Sequence, residues 1–274
     1  MTDTQKLQAF TQKIWDFYSA NKREFAWRSL PSHYNVFVSE IMLQQTQTFR
    51  IIDKFELFIT TFPDFKTLAG ASFVDVLRCW KGLGYNRRAK FIQQTAQIIC
   101  SQYNGELPSR PSDLVELPGI GPATSCSISA FAFNTPTVFI ETNIRAVFLH
   151  EFFPNQTEVP DKELLPLVQA TVDASNPREW YYALMDYGVF LKKEHKNPSR
   201  NSKHHVTQSR FEGSDRQIRG KILELLLTLG PCTFQELAEA LKCEEERLHK
   251  IVNALLFESF IRENTAGRLV ISHK

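Results

Sequence analysis

Leu117-Pro118-Gly119-Ile120-Gly121-Pro122 is the stretch on which the reading of the fold turns. A short helical pattern near 112–116 precedes it, and a longer one over 122–133 follows. Two glycines this close together permit tight backbone geometry that a Cβ would block. Pro122 suits the first turn of a helix. The amides of that first turn point outward and can hold a phosphate. The residues therefore describe a hairpin between helices that grips a nucleic-acid backbone without reading its sequence, or else an ordinary corner between two helices.

On either side the chain reads as mostly helical. Apolar spacing predicts helices over 5–20, about 35–50, 51–61, 73–80, 87–103, 142–152, 162–174 and 177–193, with Pro63, Pro108, Pro111, Pro136, Pro154 and Pro160 between them. Residues 194–213 have almost no apolar content and read as a linker or as the tail of the first unit. The pattern then restarts with an amphipathic helix over 214–229, ended by Gly230-Pro231, and helices over 234–242, behind a Thr233 cap, and 245–258. Phe260 to Glu263 and Arg268 to Ile271, turning at Asn264–Gly267, read as a hairpin. Three helices and a hairpin outline a winged-helix-like module, a shape used for DNA contact in some proteins and for packing or dimerisation in others.

At 274 residues the chain is expected to hold two domains. Hydrophobic residues at 43% and charged residues at 23% exclude wholesale disorder. No window approaches roughly 18 uncharged apolar residues, so no membrane span is expected. The start, MTDTQKLQAF, lacks an apolar signal region, which makes a cytoplasmic address the expectation, nucleoid-associated in a bacterium. Five scattered cysteines (Cys79, Cys100, Cys126, Cys232, Cys243) contain no C-x-x-C pair, which argues against a disulfide framework and against a zinc or iron–sulfur site. Between Lys192 and Lys221, nine Lys and Arg face three acids, either a solvated linker or an electrostatic footprint for nucleic acid. His195, His204 and His205 lie there too, at no metal-ligand spacing.

Two acids stand out. Glu40 falls in Ser39-Glu40-Ile41-Met42-Leu43-Gln44-Gln45-Thr46-Gln47, beside Val36 and Phe37. It is either an exposed helix charge or a half-buried carboxyl whose pKa is raised, which suits a general acid. Gln44, Gln45 and Gln47 can bond base edges or phosphates, or form a polar helix face. Glu141 ends a β-prone run before a helix, in Phe139-Ile140-Glu141-Thr142-Asn143-Ile144-Arg145. It is a helix-terminal charge or cap, or a second carboxylate. Two carboxylates in unlike environments can divide acid and charge-stabilising roles.

Taken in order, Ala26-Trp27-Arg28, Tyr34 to Val38, Ser39 to Gln47, Trp80 to Tyr85, Arg87-Arg88-Ala89, Leu117 to Gly121, Glu141 to Arg145 and Met185 to Gly188 resemble the helix-hairpin-helix DNA glycosylases. The likeness is to the MutY branch, adenine glycosylases acting on adenine mispaired with oxidised guanine, and spans roughly residues 25–192. Bifunctional endonuclease III relatives carry no Glu at the position of Glu40. The resemblance implies base flipping. Glu40 would protonate the purine and help position water, Glu141 would stabilise the oxocarbenium-like sugar, and Asn143 would help hold water and carboxylate. Gln44, Gln45 and Gln47, with Tyr85 and Arg87 of the next landmarks, would contact DNA. Gly119 and Gly121 would grip phosphate, in many relatives with a monovalent cation.

The chain departs from that pattern in several places. The family has Asp at the position of Glu141. Ala123 stands where lyase-competent relatives have the Schiff-base Lys and many MutY-type enzymes have Tyr, so hydrolysis without strand cleavage is expected. The C-x6-C-x2-C-x5-C spacing of the family's 4Fe-4S cluster falls on Lys192, Ser199, Ser202 and Gln208, none of them a cluster ligand type, so no cluster and no other metal is expected. Residues 214–274 are too short for the Nudix-like domain that senses oxidised guanine, and Asn86 stands where a wedging Tyr is usual.

The expected fold is all-α: a two-lobed helix-hairpin-helix glycosylase core, with a six-helix lobe at 30–135 and a second lobe from 1–29 plus 136–205, and a winged-helix-like module at 214–274. The expected function is monofunctional excision from double-stranded DNA in base excision repair, adenine opposite 8-oxoguanine or G the first candidate, by a monomer that hands its product to an abasic-site endonuclease. The alternatives are a glycosylase for uracil, thymine or hypoxanthine in a mismatch, and a lesion-binding protein without catalysis. An acid at both Glu40 and Glu141 favours the enzyme.

Overall fold

Polar caps begin several of the predicted helices, and one, at Asp64, begins a short helix over Phe65–Gly70 that the periodicity does not predict. Ser32 accepts from the Asn35 amide, Asp64 from Thr67, Ser72 from Asp75 and Ser214 from Gln217. Thr2 with Gln5, and Thr233 with Glu236, form reciprocal capping boxes. The structure, a computed structural model, describes residues 2–29 and 31–272. In chain order its helices are α1 (Asp3–Asn21), α2 (Ala26–Ser29), α3 (His33–Leu43), α4 (Ile52–Thr61), α5 (Phe65–Gly70), α6 (Phe73–Trp80), α7 (Arg87–Gln102) and α8 (Pro111–Leu114). There follow α9 (Pro122–Phe133), α10 (Thr142–Phe152), α11 (Asp161–Thr171), α12 (Pro177–Glu194), α13 (Asp215–Leu229), α14 (Phe234–Leu241) and α15 (Glu245–Phe257). The antiparallel hairpin β1 (Ile261–Glu263) and β2 (Leu269–Ile271) closes the chain, with Ile261 opposite Ile271. Among the described residues the architecture is all-α apart from that hairpin.

The chain divides into two compact units, Met1–Ile41 with Leu107–Thr207, and Met42–Glu106 with Gln208–Lys274. Residues 30–135, read from the sequence as one lobe, are shared between them, and 214–274 groups with 42–106.

In the first unit, α10 packs along α12 and α1 lies against both α11 and α12. Aromatic rings fill the space between: Phe10 sits 5.2 Å from Phe148 and 6.2 Å from Trp180, and Phe131 stacks on Tyr182 at 4.7 Å. Such pairs add about 0.5–1.5 kcal/mol each beyond the area they bury. A buried carboxylate with two arginine partners lies inside this apolar setting. Asp186, 1% exposed, takes Arg28 at 2.9 Å and Arg23 at 2.7 Å. Removing Asp186 would leave the buried Arg28 uncompensated, at a cost of about 3–5 kcal/mol.

Residues 194–213 are only partly a linker. A 3₁₀ turn at Pro198–Asn201 buries Pro198 and Ser199. Val159 donates its amide to Asn201 O at 3.1 Å and accepts from Lys203 N at 3.0 Å. Backbone pairing thus holds this apolar-poor segment on the first unit, which hydropathy alone does not show.

The second unit corrects one predicted helix. The pattern over 35–50 predicts a single element, but α3 stops at Leu43, Gln45 takes φ +54, and a 3₁₀ turn occupies Thr48–Arg50. Arg88 provides the physical reason. From α7 its Nη1 donates to Met42 O and Gln44 O, both at 2.7 Å, and its Nη2 to Thr46 Oγ1 at 2.9 Å and Gly84 O at 3.2 Å. The guanidinium thus satisfies carbonyls that the end of a helix leaves open, and burial lowers its pKa to about 10. The C-terminal segment packs on this unit through Phe260 against Phe73 (5.5 Å) and through Glu258, which accepts from both Arg87 and Arg219 at 2.6 Å.

Candidate active site

Glu40 lies on α3 among Val36, Phe37, Val38, Ile41 and Met42, all buried. Its side chain is half-buried, with protein on most sides and an edge that still reaches solvent. Burial raises the carboxyl from its ordinary 4.5 to about 7; the charge of Glu141 adds to the rise, while Ser127 and Arg28 oppose it. Ser127 projects from α9, and its Oγ approaches two acceptors, Glu40 Oε2 at 2.5 Å and Thr124 O at 3.0 Å. A hydroxyl has one proton and two lone pairs. When Glu40 is ionised, Ser127 donates to it. When Glu40 is protonated, it can donate to Ser127, whose proton then turns to the Thr124 carbonyl. The serine accommodates both protonation states without leaving a buried group unsatisfied. Arg28 spends its charge on Asp186, and its guanidinium lies 4.3 Å from the centre of the Tyr182 ring.

Glu141 occupies the opposite kind of place, as the N-cap of α10. Its Oε1 accepts from the amides of Asn143 at 2.7 Å and Ile144 at 2.9 Å, and its Oε2 from Asn143 Nδ2 at 3.2 Å. Three N–H groups at the positive end of a helix thus fix the carboxylate. The two readings of Glu141 are therefore compatible: it is a cap, and its charge is felt at Glu40. Asn143 Oδ1 in turn accepts from Lys192 Nζ at 2.8 Å. Where α12 passes this point, a Cβ at Gly188 would meet Asn143 O at 2.6 Å, so only glycine permits the approach.

The hairpin belongs to the same unit. Gly119 adopts φ +78, the left-handed region that favours glycine. Gly121 is the N-cap of α9, with Pro122 in the first turn. A Cβ at Gly121 would meet nothing within 4 Å, so the chain's own packing does not demand glycine there. The remaining expected DNA contacts lie in the second unit. Gln44, Gln45 and Gln47 occupy the turn that Arg88 organises, with Gln45 and Gln47 exposed. The Tyr85 hydroxyl accepts from Arg216 at 2.6 Å and from Gln208. Arg87 is exposed, and its guanidinium makes a two-point contact with Glu258.

Sequence reasoning found Glu40, Glu141 and Asn143, which the fold gathers in one unit. It did not assign site roles to Ser127, Arg28 or Lys192. Lys192 left a signal, a basic residue four positions after Gly188 on α12, whereas Ser127 is one of several small residues on α9 and left none. Among the described residues, no group of three or more His, Cys, Asp or Glu is placed to hold a metal ion, and no helix is long and apolar enough to cross a membrane.

Comparison with known proteins bears on the family and the fold. Residues 38–167 match the family model described as HhH-GPD superfamily base excision DNA repair protein. Adenine DNA glycosylase of Buchnera aphidicola subsp. Baizongia pistaciae is 32% identical over 187 residues, 66% of this chain and 52% of that one. The chain thus spans about half the length of this relative. Adenine DNA glycosylase of Mycolicibacterium smegmatis is 26% identical over 292 residues, covering 95% of both chains. Among solved structures, a thermostable thymine-DNA glycosylase superposes with a TM-score of 0.62 at 21% identity, over 71% of this chain and 91% of that one, a likeness of fold. Residues 38–167 of the chain thus carry an HhH-GPD domain, that of a superfamily of base excision DNA repair proteins.

Proposed function

We propose that the protein is a monofunctional DNA glycosylase that hydrolyses the N-glycosidic bond of a base flipped from double-stranded DNA, adenine opposite 8-oxoguanine or G being the first candidate. The observation that carries this reading is the pair of unlike carboxylates. Glu40, raised to about 7, holds a proton near neutrality, and Glu141 is held by three N–H donors. Glu40 gives its proton to the departing base as the bond from C1′ to the base nitrogen breaks. Glu141 faces the positive charge that develops on the sugar. Water then bonds to C1′, and its proton returns to Glu40, with Ser127 turning its hydroxyl to match.

Ala123 supplies no amine at the position where lyase relatives form a Schiff base, which supports hydrolysis without strand cleavage. The reading includes no iron–sulfur cluster, because the residues at the cluster spacing do not fit one. The Lys192 ammonium donates to Asn143, and Ser199 Oγ donates to Asn197 Oδ1 at 2.7 Å. Neither offers a thiolate. The open N-terminus of α9 at Gly121, where a monovalent cation is also proposed, and the exposed Gln45 and Gln47 are the proposed DNA contacts, with Gln44, Tyr85 and Arg87 completing the set. The protein would act as a monomer and pass its abasic product to an endonuclease.

The test is a panel of labelled duplexes carrying A opposite 8-oxoguanine, A opposite G, and U, T or hypoxanthine opposite G, treated with alkali to cleave abasic sites. Alkali-dependent cleavage is expected on an adenine duplex, with none before alkali and no borohydride-trapped adduct. Excision of another base alone would replace adenine as the substrate, a trapped adduct would refute the monofunctional assignment, and silence across the panel would refute the enzyme reading.

A further inference from the structure

Lys192 is a half-buried cation that the reaction sketched above does not use. It lies four residues after Gly188 on α12, and positions i and i+4 share one helix face. That face meets Asn143 twice. At Gly188 the bare backbone lets Asn143 come so near that a Cβ would lie 2.7 Å from Asn143 Cβ. At Lys192 the ammonium reaches Asn143 Oδ1 at 2.8 Å. One contact fixes where Asn143 sits and the other fixes how its side chain is turned.

An amide can present either its oxygen or its nitrogen to a neighbour, whereas an ammonium only donates. Lys192 therefore demands the oxygen of Asn143. The NH₂ group is left facing Glu141, and Nδ2 donates to Oε2 at 3.2 Å. A flipped amide would set its oxygen against the carboxylate and its NH₂ against the ammonium, and both contacts would be repulsive. We propose that Lys192 is a positioning residue that locks the Asn143 amide, and through it Oε2 of Glu141, in the orientation that excision requires. Burial lowers the pKa of Lys192, Arg145 adds to that, and the charge of Glu141 opposes it. The ammonium thus stands within the field of the carboxylate it orients. The same residue occupies the first position of the family's cluster spacing, so here that position bears on the reacting centre through Asn143.

The kinetic consequence rests on the functional reading above, while the geometric one does not. Single-turnover excision from an adenine duplex, DNA affinity, and the Asn143 side-chain amide resonances of ¹⁵N-asparagine-labelled protein, assigned by their loss in Asn143→Asp, test both. Lys192→Met is expected to slow excision by about 10- to 100-fold at unchanged DNA affinity and to shift the Asn143 amide signals. Lys192→Arg is expected to restore both in large part. Wild-type rates or unmoved amide signals in Lys192→Met would overturn the proposal. So would a rate loss that merely follows lost DNA affinity, because Lys192 would then be a phosphate contact. If Lys192→Met does not fold, Lys192→Gln, a neutral donor one atom shorter, is judged by the same readouts. If the wild-type chain excises no base, the functional reading fails, and the amide signals still decide whether Lys192 sets Asn143.

Discussion

Glu40 and Glu141 are the same side chain in two opposite settings within one folded unit. Glu40 sits on a helix of buried apolar residues, with the Ser127 hydroxyl as a partner. Glu141 caps a helix and accepts three N–H bonds, one of them from a side chain that is itself held by Lys192. The first setting favours a proton on the carboxyl, and the second holds the carboxylate in place by three donors. The difference shows that chemistry is assigned by surroundings rather than by residue type, so each setting can be broken separately.

The largest effect is expected at Glu40 itself. Glu40→Gln keeps the shape and loses the transferable proton, so excision should fall by about 1,000-fold or more, measured in single turnover, while DNA binding persists. Glu141→Gln keeps a cap but loses the counter-charge, and excision should fall by about 100-fold. Glu141→Asp restores the charge one methylene short and should retain measurable excision; complete inactivity would show that the pocket has been rebuilt around glutamate.

Gly188→Ala tests the support behind Asn143. A Cβ 2.6 Å from a backbone oxygen must displace either α12 or the start of α10. A stability loss of about 1–3 kcal/mol is expected in denaturant titration, together with slower excision.

The smallest effects concern proton affinity and sharpen the comparison. Excision should decline as pH rises through about 7, where Glu40 loses its proton. The Ser127 hydrogen bond lowers the pKa of Glu40, so Ser127→Ala should move that decline to higher pH. Stability should carry the same signature. The folded chain holds its Glu40 proton up to about 7 against an ordinary 4.5, so this contribution is complete below 4.5 and is lost as pH rises through 7. Glu40→Gln removes the dependence, and its melting temperature should gain on the wild type between pH 5 and pH 8.

The two carboxylates were also legible in the sequence to different degrees. A lone acid in an apolar helix, and an acid between a β-prone run and a helix, are local patterns that the sequence displays. Ser127 reaches Glu40 across 87 positions and Lys192 reaches Asn143 across 49, and no local pattern encodes such meetings. The same contrast holds for the fold. Helices with a strong apolar period were predicted close to their observed ends. The end of α3 was missed because the donor that satisfies its open carbonyls, Arg88, lies 46 positions beyond Met42. The docking of residues 198–203 was missed because it rests on backbone pairing with Val159, which is independent of hydropathy.

The most direct test of the central claim is the single-turnover excision rate of the wild type and of Glu40→Gln on a duplex carrying A opposite 8-oxoguanine, with binding of the same duplex measured in parallel. The account predicts alkali-labile product from the wild type, essentially none from Glu40→Gln, and comparable binding by both. Equal excision by the two proteins would contradict it, because the carboxyl that burial keeps protonated would then have no part in the reaction.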